Sequence, residues 1–129
     1  MRYLLDTNFV IGVLRGASSY WDYLHRLVEE VVPAISAVTR SEVFAGCHPH
    51  EERVTRDLLD RFETIPIHVP IADLAGRHVY LLRQRGFTLH LEDALIGATA
   101  VVEGLILVTR NAEHFPILTL GRDLFRFPD

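Results

Sequence analysis

The sequence predicts an α/β fold with a central, mostly parallel sheet and helices on both faces. Two observations carry that expectation. Short apolar runs of strand length alternate with segments of helical period, in the order β-α-α-β-α-α-β-α-α-β, and such alternation builds parallel sheets through helical crossovers. One run, Leu105 to Val108, is apolar without interruption, as a strand covered on both faces must be. The chain has 129 residues, 49% hydrophobic and 23% charged. That is enough for one core and too little for two, so a single domain over residues 1–129 is expected.

Arg2 to Leu5 reads as the first strand, ended by Asp6-Thr7-Asn8. A helix from Asn8 to Leu14 stops at Gly16. Ser18 or Ser19 caps a second helix, with Trp21, Leu24, Leu27 and Val28 on one face. Val31 to Ser36 is a short strand whose proline makes it start late or lie near an edge. A helix follows from about Val38 to Ala45 and ends at Gly46, and His48-Pro49-His50 forms a loop. Glu51 to Phe62 is amphipathic, with Val54, Leu58, Leu59 and Phe62 at helical spacing. Ile65, Ile67 and Val69 are expected to form a brief strand between prolines. Ile71, Leu74, Ala75, His78, Val79 and Leu82 make a helical stripe that Gly86 ends. Leu91 to Glu103 is helical and apolar nearly all round, which implies burial on more than one side. The tail, Ile117 to Phe127, has room for one or two short strands.

Composition excludes several chemistries. All 13 basic residues are arginine. Without a lysine amine there is no P-loop, no Schiff-base catalysis, no Ser–Lys dyad and no receiver-type phosphoryl switch. A haloacid-dehalogenase phosphatase wants a second aspartate where Asn8 stands. The lone Cys47 excludes an internal disulfide and any multi-thiolate metal site. The net charge is −4 and the pI is near 5.9, so nucleic acid is not attracted in bulk; local arginines or a bound metal must do it. Tyr3, Leu4 and Leu5 are too few for a targeting segment, and Ala94 to Val102 is too short to cross a bilayer. A soluble, cytoplasmic protein without membrane contact is expected.

In a parallel sheet, strand ends and the helix starts that follow share one rim, where ligands bind. Asp6 ends the first strand, and Glu42 and Asp93 are placed in the first turns of their helices. Asn111 follows Thr109 and Arg110 after the central strand. Each has a local reading. Asp6 caps a helix, Thr39-Arg40-Ser41-Glu42 matches a capping box, Asp93 complements a helix dipole, and Asn111 suits a turn. Together they point to a divalent cation. Clustered carboxylates repel one another and drift toward protonation unless a counter-ion relieves them, and Mg²⁺ or Mn²⁺ prefers carboxylate and water oxygens. Such a cation activates water and binds a phosphodiester oxygen, the chemistry of metal-assisted phosphodiester hydrolysis. Arg40 and Arg110, near the rim, are candidates to hold flanking phosphates.

These residues also resemble a known family. Asp6-Thr7-Asn8, Ser41-Glu42-Val43 with Gly46, Leu91-Glu92-Asp93-Ala94-Leu95-Ile96-Gly97-Ala98-Thr99-Ala100 and Leu107-Val108-Thr109-Arg110-Asn111-Ala112-Glu113-His114-Phe115 stand in the order and spacing of PIN-domain proteins. The similarity runs from Arg2 to about Phe127, and the length resembles a VapC-type toxin of a toxin–antitoxin pair. It implies a PIN-like three-layer α/β/α sandwich and a Mg²⁺- or Mn²⁺-dependent endoribonuclease toxin. Metal-activated water attacks phosphorus in line and leaves a 5′-phosphate and a 3′-hydroxyl. The implied partners are a cognate VapB-type antitoxin and a second copy in a homodimer. The family's catalytic, metal-holding acids fall on Asp6, Glu42 and Asp93, and its fourth position on Asn111, where many relatives carry aspartate. Thr7, Asn8 and Thr109 fall on positions that support the site by hydrogen bonds. Asparagine adds no charge, so Glu113 is a possible substitute. The same departure admits an alternative, a catalytically weak module of this fold that binds RNA or a protein without cutting.

Weaker signals stand beside these. His48 and His50 alone make a poor metal site. His90 and His114 lie near the expected rim. Cys47 reads as a small packed residue. Tyr20, Trp21 and Tyr23 fit packing better than base stacking, or a surface shared with a second copy or an antitoxin. That partner surface is expected on the apolar helices before Gly46.

Overall fold

The computed structural model describes residues 2–119 and 121–127; positions 1, 120, 128 and 129 of the expected single domain, position 120 being in the expected tail, lie outside the described residues. The first strand is the middle one. Strand β1 (Tyr3–Leu5) is flanked by β2 (Ala34–Ser36) and β4 (Ile106–Thr109), with β3 (Glu63–Ile65) and β5 (Leu124–Arg126) at the edges, in the order β3-β2-β1-β4-β5. Every pairing is parallel, including Leu5 with Val108 and Ser36 with Ile65. All strand carboxyl ends therefore open on one rim.

Alternation along the strands makes the three layers. Leu4 and Leu107 enter one core with α5 (Val69–Gln84) and α6 (Leu91–Glu103), where Ile71, Ala75, Ile96 and Ala98 are buried. Leu5, Ile35 and Val108 enter the other core with α1 (Thr7–Leu14), α2 (Ser18–Val28) and, through Leu59, α4 (Glu52–Leu59). Phe9, Tyr20 and Phe127 meet there with ring centroids about 5 Å apart. Gly12 gives this cluster its room: a Cβ there would stand 2.8 Å from the Tyr20 ring. Helix α3 (Ala37–Ala45) lies between α1 and α6 at the rim.

Several boundaries differ from the sequence expectation. Helix α1 starts one residue early, at Thr7, because Asp6 caps it. Helix α3 is capped by Ser36, whose hydroxyl oxygen accepts from the Val38 amide at 3.0 Å. Thr39 is thus inside the helix and fully buried rather than a cap, and Glu42 stands in the second turn rather than the first. Strand β2 starts after Pro33 and is internal, not an edge. The stretch from Glu51 to Phe62 divides into a 3-10 turn (Pro49–Glu51) and α4. Strand β3 stops at Ile65; Ile67 lies in the connection and Val69 opens α5, with Pro70 in its first turn. The tail adds one strand among the described residues. Helix α6 has the expected span and the expected burial on more than one side: Ile96 to Ala100, more than a full turn, are all buried, while Leu91 at its start and Val101 and Val102 near its end are exposed.

Helices α5 and α6 form an antiparallel hairpin. His68, which caps α5, lies 2.7 Å from the carboxylate of Glu103 at the far end of α6. The carboxyl end of α5 therefore sits beside the amino end of α6. Among the described residues no helix is long and apolar enough to cross a membrane.

Candidate active site

Asp6 leaves β1 at the rim and is almost wholly buried, with 4% of its surface exposed. One carboxylate oxygen accepts from the Thr7 amide at 2.7 Å, and the other accepts from the Thr109 hydroxyl at 2.6 Å. Burial nevertheless pushes its pKa up to about 6, because a desolvated charge is costlier than these two hydrogen bonds recover. The charges of Asp93 and Glu42 push it the same way.

Glu42 is held by a hydroxyl relay. Thr7 Oγ1 lies 2.8 Å from Glu42 Oε1 and 3.0 Å from Thr39 Oγ1. A hydroxyl has one proton to give. When Thr7 gives it to the carboxylate, Thr39 becomes the donor to Thr7. Burial raises the Glu42 pKa, and the charges of Asp93 and Glu92 add to it, against the Thr7 hydrogen bond. Thr39 is the site residue the sequence reading missed. Its signal was its spacing, three residues before Glu42 on the same helical face.

Asp93, in the first turn of α6, is also raised by burial and by Glu92, and lowered by His114 and His90. The His114 ring nitrogen Nδ1 stands 3.7 Å from Asp93 Oδ2. Asp6, Glu42 and Asp93 thus share one electrostatic neighbourhood. Asn111 is joined to it through the backbone, its amide donating to Thr109 Oγ1 at 3.0 Å; among the described residues its side chain makes no hydrogen bond.

Other expected residues point elsewhere. Asn8 is exposed and makes no side-chain hydrogen bond among the described residues, so Thr7 and Thr109 carry the support without it. Arg40 reaches Asp60 at 3.1 Å and Thr64 at 3.4 Å. The Arg110 guanidinium lies over the Tyr20 ring, 5.7 Å from its centre. Glu113 is drawn to Arg126, 3.7 Å away, rather than into the acid group. His48 and His50 stack on each other at 5.7 Å, and half-buried Cys47 contacts the Thr55 hydroxyl. Tyr20 and Tyr23 belong to the aromatic core, and Trp21 packs against His25.

Among the described residues no three His, Cys, Asp or Glu side chains form a ready-made metal cage. The donor set still suits a hard cation. Three carboxylates with raised proton affinity, one of them bordered by open space, match an ion that keeps several of its waters between itself and the protein. Glu42 borders two hollows. One of about 410 Å³ runs past Leu14, Arg15, Val43 and His50, and one of about 320 Å³ past Val38, Ala45, Leu91 and Leu95.

Comparison with known proteins identifies the family. The PIN domain family matches residues 3–117. Ribonuclease VapC10 of Mycobacterium tuberculosis is 34% identical over 125 residues, covering 97% of this chain and 94% of that protein. A toxin–antitoxin complex from Klebsiella pneumoniae contains a chain that is 32% identical, with a TM-score of 0.74 and 95% of each chain covered. VapBC2 from Rickettsia felis, solved bound to a DNA fragment from its promoter, superimposes with a TM-score of 0.80 at 26% identity over 98% of each chain. The chain belongs to the PIN-domain family, and its relatives there are VapC-type ribonucleases.

Proposed function

We propose that this protein is a Mg²⁺- or Mn²⁺-dependent endoribonuclease toxin of the cytoplasm, held in check by a VapB-type antitoxin. The observation that carries the reading is the trio Asp6, Glu42 and Asp93, each with its proton affinity raised at one rim. The ribonuclease and toxin–antitoxin relatives support it.

Asp6, Glu42 and Asp93 would hold the cation directly or through waters, with the Asn111 side-chain oxygen as a neutral fourth donor. When bound, the cation supplies Lewis acidity at a phosphodiester oxygen and makes water a better nucleophile. The chain's own residues do the positioning. Thr109 and the Thr7 amide fix both oxygens of Asp6, and the Thr7 hydroxyl fixes Glu42. Water attacks phosphorus in line, leaving a 5′-phosphate and a 3′-hydroxyl. This route makes no use of the RNA 2′-hydroxyl, so preference for RNA rests on how the strand is held.

The antitoxin fits the α2–α4 side. A hollow of about 210 Å³ there is lined by Trp21, Leu24, Val28, Val32, Leu58 and Phe62, with Val28 and Val32 exposed. A second copy of the chain fits the cleft beside Glu42, where Leu91 is exposed against Val38, Ala45 and Leu95. The test is cleavage of RNA in Mg²⁺ or Mn²⁺ by wild type, Asp6→Asn and Asp93→Asn. Loss in both variants is expected. Unchanged cleavage in both sinks the site, and no cleavage by wild type favours the binding module that the neutral Asn111 allows.

A further inference from the structure

Helix α5 ends in a surface that the acidic site does not use. Arg77, Arg83 and Arg85 fall within nine residues of one another, and none makes an ion pair among the described residues. Arg2, Arg40, Arg56 and Arg126, by contrast, each pair with a carboxylate. The Arg77 guanidinium lies over the Tyr80 ring, 5.7 Å from its centre, and Tyr80 is 49% exposed. Just past the helix, Phe87 is 45% exposed. Its mount is fixed. Gly86, at φ +81°, closes the helix while its amide donates to the Arg83 carbonyl, and the Phe87 amide donates to the Leu82 carbonyl. Leu89, buried two residues on, anchors the turn in the core.

The hairpin geometry sets where this surface lies. With His68 tied to Glu103 at one end, Arg83, Arg85 and Phe87 occupy the other end, beside the amino end of α6 that carries Asp93. Unpaired cations interleaved with exposed rings complement a flexible polyanion with flat bases: the guanidinium groups meet phosphates and the rings meet base faces, with little regard for sequence. On a chain of net charge −4, a local cationic stretch is the means by which a strand reaches an acidic rim.

We propose that the exposed end of α5 and its turn, Arg77, Tyr80, Arg83, Arg85 and Phe87, form a docking track for single-stranded RNA that leads to the Asp93 side of the rim. The track rests on the ribonuclease reading only in taking the docked strand to be the substrate. The probe is a short fluorescein-labelled single-stranded RNA of mixed sequence, followed by anisotropy in EDTA over a series of salt concentrations. Arg83→Gln/Arg85→Gln weakens binding about tenfold and flattens the slope of log affinity against log salt by about 1.4, at about 0.7 per phosphate contact. Phe87→Ala weakens binding about tenfold, Phe87→Trp restores it, and Arg53→Gln, exposed on α4, matches wild type. In Mn²⁺ the double variant raises KM with little change in kcat. If wild type binds and the double variant and Phe87→Ala bind equally well with unchanged slope, the surface serves a protein contact and the track is overturned. The same holds if wild type binds no RNA. If wild type binds through these residues but does not cleave, the track stands and the ribonuclease reading falls.

Discussion

The Thr109 hydroxyl donates to Asp6 Oδ2 at 2.6 Å, joining two strand ends that lie 103 positions apart in the chain. The parallel register of Leu5 with Val108 brings them side by side, so the sheet itself sets the position of the most buried acid. Thr109→Val keeps the shape and removes the donor. The unpaired carboxylate oxygen then costs about 1–3 kcal/mol, felt only where Asp6 is ionised. Urea unfolding is expected to show a larger loss at pH 8 than at pH 5, and the acid limb of the cleavage profile moves to higher pH. An equal loss at both pH values contradicts this role.

Asp6 prefers its proton in the folded state, with a pKa of about 6 against 3.8 for an ordinary aspartate. A raised folded pKa adds stability that is whole below about pH 3.8 and is lost as pH rises through about 6. Glu42 and Asp93 are raised and act in the same direction. Without divalent ions, Asp6→Asn is therefore expected to be more stable than wild type at pH 7.5 by up to about 3 kcal/mol, and to lose that advantage at pH 4. Its cleavage activity is abolished. A variant less stable than wild type at pH 7.5 would falsify the account of Asp6 as a charge under strain.

Burial and mutual repulsion of these acids would make a bound cation a stabiliser. Mn²⁺ at about one hundred times its dissociation constant adds about 2.7 kcal/mol. Calorimetry at pH 7.5 should show a rise in Tm of several degrees, shrinking toward pH 5 as the acids take up protons. Asp93→Asn removes most of the rise. A rise of equal size in that variant points to an ion bound elsewhere.

Thr39 tests the relay behind Glu42. Thr39→Val leaves the packing volume and takes away the donor to Thr7, at a cost of about 1 kcal/mol. Groups that orient such ligands change metal affinity or activity by about 10–100-fold when removed. Weaker Mn²⁺ binding, read by titration calorimetry, with Thr39→Ser restoring it, is the expected pattern. Wild-type Mn²⁺ affinity in Thr39→Val assigns Thr39 to packing alone.

Gly12 tests the aromatic core behind α1. Gly12→Ala forces the Tyr20 ring aside, and overpacking of this kind costs about 1–3 kcal/mol. Tyr20→Leu in the same chain should recover part of the loss. Full stability in Gly12→Ala alone shows that the ring has space to give.

The sequence carried the sheet and most of the helices because each rests on local pattern, apolar runs and helical stripes; it placed Asp6 and Asp93 at element boundaries, whereas Glu42 lies one turn deeper in its helix than its spacing suggested. What it did not carry depends on tertiary choice. Ile67 and Val69 alternate like a strand, but Pro66 lies between them and β3, and Pro70 suits the first turn of a helix. Thr39 matched a cap by spacing, yet Ser36 stands at the actual strand–helix junction and takes that place. Spacing along the chain places Arg40 and Arg110 near the rim but says nothing of their neighbours, which include Asp60 for Arg40 and the Tyr20 ring for Arg110. Asn8 and Glu113 show the same limit. A motif fixes where the backbone passes, not which way each side chain turns.

The central place of β1 in the sheet has a temporal consequence. A chain that has folded only through β3 owns Asp6 and Glu42 but neither Thr109 nor Asp93, since β4 and α6 come later. Non-local pairing of this kind is slow to form. Half-synthesised copies accordingly lack the assembled acid group, which closes only once a late segment has threaded in beside the earliest.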